Sequence, residues 1–263
     1  MTGAVRVGWR GGLTLAIASA GGLVAFLWPL VVAPESAVAH SADAPLVFAL
    51  LLPVSLAVVL TQLSEGGLDA KAVATLGVLT AVGAALRPLG AGAGGIELVF
   101  FVLIVGGRAF GPGFGFVLGV VTLLASALLT GGVGPWLPFQ MLGAGWVGLG
   151  AGLLPPARDR GEIVLLALYG AFAALLYGLL LNLSFWPFAT GPGTELSFVP
   201  GAPLADNLGR FLAFSVTTSL GWDVGRALTN VALIVLLGRP MLNVLARATR
   251  RASFGAQPRF EPG

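Results

Sequence analysis

The chain has 263 residues, 57% of them hydrophobic and only 10% charged, against roughly 25% charged in an ordinary soluble domain. Fourteen basic and 11 acidic side chains cannot cover the surface of a soluble fold of this size, and the hydrophobicity excludes disorder. A mean hydropathy of +0.95 is that of a polytopic helical membrane protein, so the fold class expected is all-α within a lipid bilayer.

A sequence pI near 10.2 suggests nucleic acid, but the net charge is only +3 and the basic residues sit at the ends of apolar segments. That is a membrane-orientation pattern, and no nucleic-acid partner is expected. There is no cysteine, which excludes disulfides, thiolate metal sites and iron–sulfur clusters. His40 is the single histidine, so a metal site built on several imidazoles is excluded as well. No cofactor motif occurs.

A bilayer span takes roughly 17–25 apolar residues in a helix. In chain order, eight stretches qualify: 11–33, 46–62, 70–86, 96–109, 113–131, 137–154, 162–184 and 208–238. The first has an apolar run longer than a signal-peptide core of roughly 7–15 residues, so it reads as a retained helix. The fourth is short, and charge decides whether it counts. With eight spans and both termini cytoplasmic, 11 basic residues lie inside and only Arg87 and Arg210 outside, with Arg226 in a span. Deleting the fourth span leaves 4 inside and 9 outside, against the positive-inside rule. Eight crossings are therefore expected. The last stretch is too long for one crossing. Its polar run Ser215, Thr217, Thr218, Ser219 and Gly221 predicts a break, with the crossing placed at about 221–238.

From Lys71 onward small residues recur at helical spacing. Gly77, Ala81 and Ala85 form one smooth face, suited either to packing on a neighbouring span or to docking on another membrane protein. Gly115 and Gly119 continue the spacing after a tight turn bounded by Arg108 and Pro112.

Ionisable residues at membrane depth demand a reason. Asp223 and Arg226 lie three apart on one helix face, and Asn230 lies one turn further along. They read as a self-satisfied ion pair, as polar groups facing a ligand cavity, or as both. An aromatic cluster with one amide, Trp136, Phe139, Gln140, Phe185, Trp186, Phe188 and Trp222, reads either as an interfacial belt or as stacking walls for a flat ligand. Between Arg87 and Glu97 the chain is glycine-rich, and Gly90, Gly92 and Gly95 match G-x-G-x-x-G. With no strand expected before it, a dinucleotide-binding turn is dismissed. Arg87 and Glu97 either close this segment or pair with each other. No hydrolytic, carboxylate-dyad or ATP-binding motif occurs, so no enzyme is expected, and any active transport needs an outside source of energy.

The small-residue helix, the Gly107–Gly119 turn and the closing run Trp222-Asp223 to Arg226 and Asn230, then Gly238-Arg239-Pro240, together resemble the substrate-binding S component of an energy-coupling factor transporter, of the actinobacterial type. The resemblance covers roughly residues 70–240 and implies a six-helix core. It implies that Gly77, Ala81 and Ala85 dock on a transmembrane coupling protein that works with two ATPase subunits. It further implies that the segment after Arg87 acts as a lid, and that the substrate is a vitamin-like small molecule, with cobalamin or a corrinoid precursor leading. The helix pair in residues 1–69 is an addition to that core, and 241–263 reads as a basic cytoplasmic tail. A stand-alone secondary carrier and a non-transporting membrane scaffold are the alternatives. No inverted repeat and no intramembrane acid chain supports the carrier.

Overall fold

The computed structural model describes residues 8–31, 57, 70–90, 93–189 and 193–252. Regular structure among them is entirely helical. The elements are α1 (Trp9–Val31), α2 (Ala70–Leu86), a short 3-10 turn (Arg87–Gly90), α3 (Val99–Phe110), α4 (Pro112–Thr130), α5 (Leu137–Leu153), α6 (Asp159–Ala189), α7 (Leu204–Thr218) and α8 (Leu220–Ala252). Among the described residues five helices, α1, α2 with its terminal turn, α4, α6 and α8, are long and apolar enough to cross a membrane. Of the expected span 46–62 only residue 57 is described, and His40 lies outside the described residues.

Helix α3 is the hub. All 12 of its residues are buried, as expected of a helix that is apolar all round. At about 1.5 Å per residue it is some 18 Å long, too short for a hydrocarbon core of roughly 30 Å. Glu97 stands just before its first residue and Arg108 near its last. The sequence-based crossing 96–109 is thus a buried half-length helix that its neighbours enclose. One residue, Gly111 at φ 106°, connects it to α4. Only glycine adopts that conformation readily, and Pro112 then begins α4, where its missing N–H costs nothing. Gly131, at φ 68°, ends the same helix in a left-handed cap.

The most extensive helix interface joins α4 to α5. Gly115 and Gly119 face Gly148 and Ala144 so closely that a Cβ on Gly115 would fall onto the Gly148 carbonyl. Gly107 of α3 meets the same carbonyl. Lipid tails are as apolar as leucine, so helices in a membrane associate by close van der Waals packing, which small residues permit. In Gly115 and Gly119 the small-residue spacing therefore marks internal packing. Gly77, Ala81 and Ala85 on α2 do the opposite and are exposed. The buried side of α2 is made by Ala72, Leu76, Leu79, Thr80, Gly83 and Ala84.

Helix α1 packs along α6, with further contacts to α5 and α7. Phe26, fully buried, meets Phe139 edge-on at 5.0 Å between ring centroids, and Trp146 donates its indole N–H to Ser19 Oγ at 3.0 Å. The expected break near the end of the chain falls at Ser219, between α7 and α8. Helix α8 begins at Leu220 but runs on through Pro240 to Ala252, beyond the expected end at 238. Leu242 and Leu245 pack back onto the core and hold this extension in place.

Candidate functional site

The C-terminal ends of α2 and α4 and the later half of α6 gather with the N-terminal ends of α3 and α5 and the start of α8. A cavity of about 360 Å³ opens at that end. Its apolar walls are Val99, Phe100, Leu123, Tyr177, Leu181 and Trp222, and its polar groups are Arg87, Glu97, Ser126, Thr130, Gln140 and Arg226. Few precisely placed polar groups on apolar and aromatic walls are the character of a small-molecule site.

Gly90 and Gly95 of the glycine-rich segment line the cavity. Gly94 and Gly95 adopt φ values of 55° and 83°, and both press on the first turns of α8. A Cβ on Gly95 would meet the Trp222 carbonyl, and one on Gly225 would meet the Gly94 carbonyl. The backbone can lie this close only because side chains are absent on both sides.

Arg226 occupies the inner corner of the cavity. Its Nη1 donates to Asp223 Oδ1 at 2.7 Å and to the Ala174 carbonyl at 3.2 Å. Nη2 and Nε donate to Glu97 Oε1 at 2.7 and 3.0 Å. The guanidinium also lies 5.3 Å from the Tyr177 ring centroid and 5.7 Å from that of Phe100, within cation–π range. Glu97 thereby ties the end of the glycine-rich segment to α8. Asp223 stands behind this cluster. Gly178 of α6 makes room for its carboxylate, which a Cβ there would strike.

Arg87 occupies another part of the cavity. Its Nη2 donates to Gln140 Oε1 at 2.9 Å and its Nη1 reaches Ser126 Oγ at 3.5 Å. Among the described residues it has no carboxylate within salt-bridge distance. The suggested Arg87–Glu97 pair is not formed, because Arg226 takes Glu97.

Of the residues singled out from sequence, Arg87, Glu97, Gln140, Trp222 and Arg226 line the cavity. Asp223 holds Arg226 from behind and instead borders a lateral apolar groove between α6, α7 and α8. Asn230 is fully buried below, donating to the Gly170 carbonyl at 3.0 Å. It ties α8 to α6 and does not reach the cavity. Phe139 faces α1. Trp186 is buried in a separate cluster with Phe211 and Phe214, and its indole N–H donates to the Leu196 carbonyl at 2.7 Å. Trp136 is half exposed and donates to the Gly132 carbonyl at 3.3 Å. The aromatic cluster therefore divides: of its members, Trp222 and the amide Gln140 line the cavity.

Sequence reasoning missed Phe100, Tyr177, Ser126 and Thr130. The two aromatics lie in uniformly apolar runs that do not reveal an inward face. Ser126 and Thr130 did carry a signal, since they stand four apart at the end of a helix whose one other polar side chain is Thr122. At the opposite end of the bundle, Arg108 pairs with both carboxylate oxygens of Glu162, at 2.5 and 2.9 Å, and donates to the Leu154 and Pro155 carbonyls.

A family model described as ECF transporter, substrate-specific component, matches residues 71–237. No curated protein matches the chain, and no solved structure does.

Proposed function

Because the chain belongs to the substrate-specific components of ECF transporters, we propose that its cavity captures a vitamin or related micronutrient on the outer side of the cell membrane and that its α2 face delivers the loaded subunit to a coupling protein. Proteins of this family are membrane transport subunits that work with a membrane coupling component and ATPases. The observation that supports the reading is the cavity itself, with Glu97, at the end of the glycine-rich segment, paired with Arg226 of α8. Opening costs that ion pair and the Gly94–Gly225 contact. A ligand that contacts the underside of the lid stabilises the closed form by its differential affinity.

The exposed face of α2 supports the coupling role. Ala74, Gly77, Ala81 and Ala85 run along it between Val73, Val78 and Val82. A Cβ at Gly77 would have nothing within 4 Å. The lipid-facing sides of α6 and α8 carry large residues instead, such as Leu168, Phe172, Leu228 and Leu236. A smooth strip beside such surfaces suits close approach by a partner helix. Both termini would be cytoplasmic, which puts the cavity outside.

A volume of about 360 Å³ stands at the low end of the roughly 300–1,000 Å³ usual for small-molecule pockets. It favours a compact substrate over the corrinoid expected from sequence. The test is co-expression with a coupling protein and its ATPases. Wild-type protein should co-purify with them, whereas Ala81→Leu with Ala85→Leu should lose the partners yet keep the ligand. Unchanged co-purification of that double variant would remove α2 as the docking face. Genomic neighbours of this chain that include no such subunits would favour the secondary carrier.

A further inference from the structure

We propose that the ligand of this cavity carries one anionic oxyacid group, a carboxylate or a phosphate, and that Arg87, Gln140 and Ser126 form its cradle. The inference rests on reading the cavity as the ligand site and adds the chemical class of what binds there.

The charges in the cavity are unevenly matched. Arg226 is held by two carboxylates, Asp223 and Glu97, so its cluster carries a net negative charge and does not attract an anion. Arg87 has only neutral partners among the described residues, the Gln140 amide oxygen and the Ser126 hydroxyl. A guanidinium offers five N–H donors, and these two bonds leave donors for the cavity it lines. Since Gln140 presents its oxygen to Arg87, its amide nitrogen is the end left to donate. The Ser126 hydroxyl, accepting from Arg87, is likewise left to donate its proton. Three donor groups with one uncompensated positive charge match an oxyanion, and the guanidinium fork matches carboxylate and phosphate geometry in particular.

Cost points the same way. An unpaired cation among apolar walls at a membrane helix end is unfavourable, and an incoming anion compensates it. Glu97 also lines the cavity, and its Oε2 accepts no hydrogen bond from the described residues. That oxygen selects a hydrogen-bond donor on the ligand. Phe100, Tyr177 and Trp222 line the same cavity and suit a flat or apolar body.

The experiment uses the full chain in detergent and pairs of compact molecules that differ in charge at one group. Nicotinate with nicotinamide and pantothenate with its alcohol test carboxylates. Pyridoxal phosphate with pyridoxal and thiamine monophosphate with thiamine test phosphates. Thermal stabilisation is read for wild type, Arg87→Gln and Arg87→Lys. In at least one pair the anion should stabilise the wild type and its partner should not. Arg87→Gln should weaken that anion roughly 10- to 100-fold, the scale of one charge-assisted hydrogen bond, and Arg87→Lys should keep part of the affinity. The small molecules released on denaturing wild-type protein should include an anion that Arg87→Gln protein lacks. A released neutral or cationic molecule, equal stabilisation by both members of each responding pair, or an anion retained equally by Arg87→Gln overturns the proposal. The carboxylate and phosphate arms separate the two anion sources. Failure of the wild type to assemble with coupling subunits would instead refute the transport reading and leave the anion result standing.

Discussion

Arg108 shows how a membrane fold holds a guanidinium it does not expose. The side chain is almost wholly buried, pairs with Glu162 through two hydrogen bonds, and satisfies the carbonyls of Leu154 and Pro155 where α5 ends. Read from sequence, it is a charge that orients the chain. In the structure it also joins α3, the end of α5 and the start of α6. Removing one partner leaves the other charge buried and alone, which costs about 3–5 kcal/mol. Arg108→Gln or Glu162→Gln alone should therefore lower the melting temperature sharply in detergent. The paired change Arg108→Met with Glu162→Met should recover part of that loss, since well-packed apolar side chains replace buried ion pairs at little cost. If the double variant melts no higher than the worse single variant, the pair acts mainly through the carbonyls it caps.

Among the elements, α2 and α4 use the same four-residue spacing of small side chains for opposite ends. On α4, Gly115 and Gly119 touch the α5 backbone at Gly148 and Ala144. On α2, Gly77 meets nothing. A methyl group added at each position should separate the roles. Gly148→Ala drives a Cβ into the Gly115 carbonyl, and overpacking of this kind costs about 1–3 kcal/mol or more. Gly77→Ala meets no neighbour and gains helix propensity of about 1 kcal/mol. Thermal melts should thus move in opposite directions, down for the first and level or up for the second. A melt of Gly148→Ala like that of the wild type would mean that α4 and α5 can separate freely, which would put the hub at α3 in doubt.

At the scale of the whole molecule, the family match begins at residue 71, yet α1 is packed into the fold ahead of it. Its Phe26 faces Phe139 and Trp146, and its Ser19 accepts from Trp146. None of these residues lines the cavity. A chain starting at residue 70 should therefore melt lower, because the faces of α5 and α6 under α1 lose their cover. Its ligand affinity should stay within several-fold of the full chain. A loss of binding in a truncated chain that still melts cooperatively would show that the N-terminal region shapes the site.

Composition alone determined that this is a membrane protein, because 10% charge cannot clothe a soluble surface. Charge positions and small-residue spacing were also legible, and so was the break before α8, since polar runs, glycines and isolated charges are local signals. Asp223 and Arg226 were visible as a pair for the same reason: a charge at membrane depth must have a partner. The direction in which each apolar helix turns was not legible. Phe100 and Phe139, or Trp186 and Trp222, are equivalent in a sequence where most neighbours are apolar. Both core and lipid accept apolar side chains, so no contrast between a polar and an apolar face tells them apart. Which faces meet is decided by where glycines let backbones touch, and that depends on residues far apart in the chain. Tertiary packing therefore sent Phe139 and Trp186 into the core and gave Glu97 to Arg226. It also left Arg87 in the cavity with neutral partners.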